Sequence, residues 1–256
     1  MALMKLTFSD VYIKVSEFIG LGSSPAGDDL TKVKDIVYRG YRRFLSSIDP
    51  VTGKLHIWSF LKQRSTINTT ADKWEYQLPS DFVYSNNSLK FDDDEGRSPL
   101  VMCSVSKIMT MRSFSASSNY PLFYAIRAGK YFKDTGQRYE VILHPQPGGV
   151  YLLKYSYVIE PEKPTETSDV FVGGSLASEC ILQCSLAAAE LQENDEISIQ
   201  NQMAEKLLFQ LIEQDRQLAP DTVGYNGGGT GVLDNEIMAR SFRKIPAPTS
   251  VYGVSD

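Results

Sequence analysis

Apolar residues recur near the start of the chain at Phe8, Val11, Tyr12, Val15, Phe18 and Ile19, the i, i+3, i+4, i+7 spacing of one helix face. Thr7 followed by Asp10 supplies a capping box with a shorter acid, and Gly20, Gly22 and Pro25 end the run. A second helix is expected from an N-cap at Asp28 to about Ser47. Its stripe is Leu30, Val33, Val37, Tyr41, Phe44, Leu45 and Ile48, and Pro50 and Gly53 close it in a turn.

From about Leu55 to Val172 the period changes. Aromatic and β-branched residues fall in short runs between turn residues, the pattern of an antiparallel β region. The predicted strands are Arg64–Thr69, Lys73–Gln77, Ser88–Phe91, Leu100–Ser104, Leu122–Arg127, Tyr131–Phe132, Arg138–Leu143 and Tyr151–Val158. Ser106–Phe114 reads as a short helix instead. Beyond Gly173-Gly174 the helical period returns: Leu176, Cys180, Ile181, Cys184, Ala187, Ala188 and Leu191 share a face. After the polar break at residues 193–195, Ile199, Met203, Leu207, Leu208, Leu211 and Ile212 mark a last helix.

Isolated helix pairs are marginal in water, so the two helical halves are expected to bury their stripes against each other. The predicted fold is therefore α+β: an antiparallel helical bundle built from residues 1–54 and 174–219, with an antiparallel β-sandwich or barrel-like domain inserted at 55–173. Residues 220–256 carry Gly227-Gly-Gly229, Gly231, Pro246 and Pro248 without sustained periodicity. Their scattered apolar residues suit an extended C-terminal arm that folds onto a partner.

Composition narrows the function classes. The 256 residues are 42% hydrophobic, with 26 basic and 31 acidic side chains. That balance lacks the basic excess of a free-standing nucleic-acid binder. No apolar run reaches the ~18 residues of a membrane span, and the N-terminus lacks the apolar core of a secretory signal. Synthesis in a cytoplasm is expected, which suits the odd set Cys103, Cys180 and Cys184 as reduced thiols.

Catalytic chemistry is sparse. His56 and His144 are the two histidines, and neither has a partner at ligand spacing. Cys180 and Cys184 stand i, i+4 on one helix face, and small buried apolar residues explain them better than a metal. Asp92-Asp-Asp-Glu95 offers oxygen ligands for calcium but lacks the EF-hand spacing, so a solvated hairpin tip is favoured. Gly227–Gly231 lacks the Gly-Lys-Ser/Thr ending of a phosphate loop. No cofactor and no metal is expected. Arg39, Arg42 and Arg43 cluster near the end of the second helix, where the dipole favours positive charge. They fit a solvated face, an acidic protein partner or a DNA backbone.

One stretch goes beyond pattern. Tyr41-Arg-Arg-Phe-Leu45 ends a helix, Trp58-Ser-Phe-Leu61 follows, and Trp74-Glu-Tyr-Gln-Leu-Pro-Ser-Asp-Phe82 comes after a polar strand. This resembles the head-to-tail adaptor (connector) proteins of tailed phages, a family related to tail tubular protein A. Physically, Trp58, Phe60 and Leu61 suit a cover over the junction of bundle and β domain, continued by Tyr76, Leu78 and Phe82 around Pro79. They read as a domain-junction core rather than an active site.

The resemblance implies a virion structural protein at the head-tail neck, with no enzymatic activity. It implies a homo-oligomeric ring, usually of twelve copies, beneath the portal protein, meeting a nozzle or tail-tube protein on the other side. Genomic DNA would pass through without sequence-specific binding, and no membrane is involved. The arm at 220–256 would reach the portal, with Met238, Phe242, Ile245 and Tyr252 as anchors, since Met and aromatics are enriched at interfaces. Twelve copies at −5 each would make a ring of about −60, a like-charged wall for DNA.

Two other classes compete. A carbohydrate- or receptor-binding β-sandwich of a virion would use Tyr120, Phe123, Tyr124, Tyr131 and Phe132 to stack on sugars. A two-carboxylate glycan hydrolase would need an acid pair, and none stands out around Asp81.

Overall fold

The first helix forms where its cap is strongest. In a computed structural model describing residues 5–92, 96–114, 118–133, 136–194 and 199–218, α1 (Phe8–Phe18) opens on the expected capping box. The Asp10 backbone N–H donates to Thr7 Oγ1 (3.2 Å) and the Thr7 N–H to Asp10 Oδ2 (2.9 Å). The Thr7 hydroxyl, which donates to Asp10 Oδ2 (2.7 Å), and then the Thr7 N–H hold the Asp10 carboxyl below its usual range. Helix α2 (Gly27–Leu45) is capped by Ala26 and not by Asp28. Asp28 and Asp29 lie inside its first turn, where they still favour the dipole.

After a 3-10 turn at Ser59–Leu61 comes the β region. One four-stranded sheet runs β1 (Lys62–Asn68), β10 (Leu152–Ile159), β3 (Phe82–Ser85), with β4 (Lys90–Phe91) also on β10. The second runs β2 (Glu75–Gln77), β8 (Gly136–His144), β7 (Phe123–Phe132), β5 (Val101–Met102). A two-stranded piece pairs β6 (Ser118–Asn119) with β9 (Gln146–Pro147). The long ladders are antiparallel, while β5–β7 and β6–β9 are short parallel pairings. Aromatic rings join the two large sheets: Phe82 lies 5.6 Å from Tyr139 and 5.7 Å from Tyr157.

The expected strands at 122–127 and 131–132 are one strand, β7. Its register shifts between Ala128 and Tyr131, so the Gly129-Lys130 interruption is a bulge rather than a turn. Between β5 and β6 lies α3 (Val105–Phe114), the short helix expected there.

Two helices follow, α4 (Gly174–Asn194) and α5 (Ile199–Leu218). The described residues divide between two units, Met1–Glu213 and Gln214–Asp256. In the second, residues 214–218 continue α5. Within the first, α1 and α2 pack on α4. Phe8 stacks on Tyr38 (5.5 Å) and meets Phe171 edge-on, and the Leu6 N–H donates to Ser178 Oγ (3.2 Å). Helices α2 and α4 approach so closely that a Cβ on Gly40 would lie 2.5 Å from Ser185 Cα and N. Small residues on α4 (Ala177, Cys180, Cys184, Ala187) leave room for the α2 stripe. One continuous core runs from Phe8 through Trp58 and the sheet residues to Ile212.

The expected helix faces are not buried throughout. Ile48, Leu176, Leu191, Ile199 and Met203 are half or more exposed. Among the described residues no helix is long and apolar enough to cross a membrane.

Candidate functional site

The end of α2 organises the region picked out by the sequence motif. The chain leaves Ser46 and turns at residues 49–54, where the buried Asp49 carboxylate accepts from the Val51 N–H (2.9 Å) and from Thr52 Oγ1. The His56 N–H then donates to Ser47 O (2.9 Å), which brings Trp58 under the helix end. Trp58 is buried and stacks on Phe44 (4.7 Å) and Phe60 (5.5 Å), with His56 edge-on at 4.7 Å. Its indole N–H donates to Phe44 O (3.1 Å), satisfying one of the last carbonyls of α2. Phe60 reaches the start of α4: a Cβ on Gly173 would lie 2.9 Å from its ring.

Tyr76, Leu78 and Phe82 are also buried, in the same core, but they act among the strands. The Tyr76 hydroxyl accepts from the Thr70 N–H (2.9 Å) and donates to Lys73 O (2.8 Å), clasping the turn before β2. Phe82 bridges the two sheets through Tyr139 and Tyr157. Burial, and then the neighbouring Asp81 carboxylate, push the Tyr157 hydroxyl up to about 12.

The arginine cluster divides. Arg39 donates through Nη1 to Gln192 Oε1 (3.0 Å) on α4, and Arg43 Nη2 lies 3.6 Å from Glu205 Oε1 on α5. Arg42 is exposed. A groove of about 460 Å³ lies between Arg39, Arg43, Leu191 and Asn201. A second, of about 430 Å³, lies between Arg43, Ile48, Pro50, Leu208 and Phe209. The first is lined by the apolar edge of α4 and the second by that of α5, each with arginine beside it, a mixture suited to protein contact. The anchors Met238, Phe242, Ile245 and Tyr252, the whole 220–256 arm and the Gly227–Gly231 run lie outside the described residues.

Other sequence candidates find structural surroundings. Tyr124 is buried, with its hydroxyl bonded to Ser88 and Leu89, so it is unavailable for stacking on a sugar; strand alternation turns it inward beside the half-buried Phe123. Tyr120, Tyr131 and Phe132 are exposed. Cys180 and Cys184 are buried, and the Cys180 thiol is pushed up by its hydrogen bond with Cys184 and by burial. Among the described residues no group of three His, Cys, Asp or Glu could hold a metal ion. Asp92 pairs with Lys154 (2.6 Å), while Asp93, Asp94 and Glu95 lie outside the described residues.

Sequence reasoning missed two arrangements. Trp74 carries the Arg112 guanidinium over its ring at 3.8 Å, and Arg127 sits 5.6 Å away, bonded to Glu75 (2.7 Å) and Glu140 (2.5 Å). This stack fastens α3 onto the second sheet. Arg64, Lys90 and Lys154 meet on the first sheet although they are far apart in sequence. Only strand register brings such groups together, so no local signal announces them.

Comparison with known proteins gives one family. A family model described as SU10 adaptor protein matches residues 6–225, which covers the helices and strands of the described residues. No curated protein matches the chain.

Proposed function

Because the chain belongs to the SU10 adaptor protein family, whose members are phage adaptor structural proteins, we propose that it forms a ring under the portal, joins it to the tail and continues the DNA channel. The family match over residues 6–225 carries this reading. The kinship to tail tubular protein A belongs to the same reading, as does a count of twelve copies. Residues 1–54 and 174–219 act as the bundle, 55–173 as the inserted domain and 220–256 as the arm that reaches the portal.

The fold supports the reading in physical terms. An adaptor must hold its shape while neighbours load it from above and below. A core continuous from α1 to α5, with the Trp58 stack joining the end of α2 to the β region, provides that stiffness. The grooves beside Arg39 and Arg43 and the exposed apolar edges of α4 and α5 provide surface for contacts. DNA passes through the ring without sequence-specific binding, and the assembly lies at the virion neck.

The test mixes the protein with the portal ring of the same phage and follows it by sedimentation and negative-stain microscopy. A portal capped by extra ring density is the expected result, and removal of residues 220–256 should weaken capture. A portal that sediments unchanged ends the adaptor reading.

A further inference from the structure

The first sheet carries a groove of about 700 Å³, on a different element from the surface beside the arginine cluster. Its geometry follows from register. Lys90 on β4 stands directly opposite Lys154 on β10. Arg64 on β1 stands opposite Ser156, two positions along β10 from Lys154, and so on the same face. The intervening Tyr155 is buried on the other side. Three cations thus converge on one concave patch, with Asn87 and Ser88 as hydrogen-bonding neighbours.

Two features of this patch are unfavourable for the subunit alone. Like charges directly opposite across a sheet are destabilising, and Asp92 pairs with Lys154 (2.6 Å). On the groove lining, Ser156 Oγ is shut from solvent and bonds to no described group. A buried hydroxyl left without a partner is destabilising. An anionic oxygen in the groove would relieve the first, by neutralising the cations.

The remaining charge of the chain identifies the anion. Residues 174–219 contain eight acids and two bases, so the α4–α5 segment is −6 in a protein whose total is −5. Glu179, Glu193 and Glu205 are exposed on it, beside the exposed Leu176, Leu191 and Met203. We propose that the groove of Arg64, Lys90 and Lys154 receives carboxylates of the α4–α5 exterior of the adjacent copy, making the head-to-tail contact between subunits. The proposal rests on the ring reading. A DNA phosphate is the weaker occupant, because an acidic protein repels the duplex and the cations form one patch, not a track.

Reversing charge on each side tests the pairing. The first variant is Lys90→Glu with Lys154→Glu. The second is Glu179→Lys, Glu193→Lys and Glu205→Lys; it breaks exposed pairs with Lys32 and Arg43, of the kind that contribute little to stability. Circular dichroism melts confirm folding of both. Association is read by sedimentation, on the protein alone and on the portal ring.

The wild type is expected to assemble, less so at high salt, and each variant alone to lose the ring-sized species. An equimolar mixture should restore it, because alternating copies put an acidic groove against basic helices and a basic groove against acidic helices. This rescue also shows that the variants were folded. The proposal is overturned if the groove variant assembles like the wild type, or if the mixture stays unassembled. Normal assembly of the groove variant with lost retardation of a short DNA duplex would assign the groove to phosphate and likewise overturn it. Copies that associate with this charge dependence yet ignore the portal would end the adaptor reading and leave the groove assignment standing. Wild type that assembles in neither setting ends both.

Discussion

Replacing Gly40 by Ala tests whether α2 and α4 touch at their backbones. A methyl at Gly40 would lie 2.5 Å from Ser185 Cα and N, about 0.9 Å short of the 3.4 Å where ordinary contact begins. Those atoms belong to a helix backbone and cannot rotate away. The helices must separate, and a gap of that size forfeits about a quarter to a half of each dispersion contact across the seam. Val33, Ile36, Val37, Tyr41 and Phe44 on α2 lie in the core with α4. Overpacking of this kind costs about 1–3 kcal/mol where side chains can adjust, and more where they cannot. Against it stands a helix-propensity gain of about 1 kcal/mol for Gly→Ala. The expected net loss is about 2–4 kcal/mol, or roughly 5–12 °C in Tm for a chain of this size. Urea unfolding followed by circular dichroism measures it. Adding Ser185→Ala should not rescue, because two of the three nearest atoms are backbone. A variant as stable as the wild type, or stabilised by the propensity gain alone, would refute the close approach.

Two further outcomes follow from single contacts. Trp58→Phe removes the indole donor to Phe44 O and part of the stack between Phe44 and Phe60, so a loss of about 2 kcal/mol is expected; the same variant leaves Trp74 as the single tryptophan, and an unchanged unfolding midpoint would contradict the plug. His144 is buried and its Nδ1 bonds to no described group, and burial, then the Arg112 guanidinium, lower its pKa below the ordinary 6.5. The unfolded chain therefore takes up the proton first as pH falls, so stability is at its full value above about pH 6.5 and declines as pH falls toward the lowered folded pKa; a slope below about pH 6.5 that survives His144→Gln would assign it to other groups.

The helices were legible because each carries a periodic stripe, and α1 also carries its cap in Thr7 and Asp10. The end of α2 was legible through Pro50 and Gly53, but its start was misplaced because Asp28 is as favourable inside the first turn as at the cap. Short strands were the hardest to read. β6 and β9 have two residues each, and β9 contains Pro147, so neither has a period. A break was expected at Gly129-Lys130, where β7 instead bulges, since glycine serves turns and bulges alike. Exposure of Leu176, Leu191, Ile199 and Met203 was invisible in the same way. A helix that packs on one side and meets a partner on another shows two apolar stripes, and sequence alone merges them into one. The basic groove depends on Lys90 facing Lys154 across a ladder, which no window along the chain contains.

Charge is segregated along the chain, and that bears on the kind of assembly such a subunit can form. Residues 1–54 hold eight bases and six acids, while 174–219 hold eight acids and two bases. Within one copy the two meet at Lys32–Glu193 (2.7 Å) and Arg43–Glu205 (3.6 Å). Exposed pairs of this kind contribute little, so the apolar seam at Gly40 and Ser185, rather than charge, holds the bundle closed. Glu190 and Asp215 are buried, and Glu179, Glu193 and Glu205 lie on the surface of α4 and α5. Two such faces cannot approach each other about a two-fold axis without like-charge repulsion, which disfavours the isologous pairing that is the default for oligomers. The same face meets no such penalty against Arg64, Lys90 and Lys154, a contact that is heterologous by construction. Heterologous contacts close into rings or run on as filaments according to their rotation. A charge pattern that penalises the symmetric dimer therefore favours the head-to-tail arrangement an adaptor ring requires.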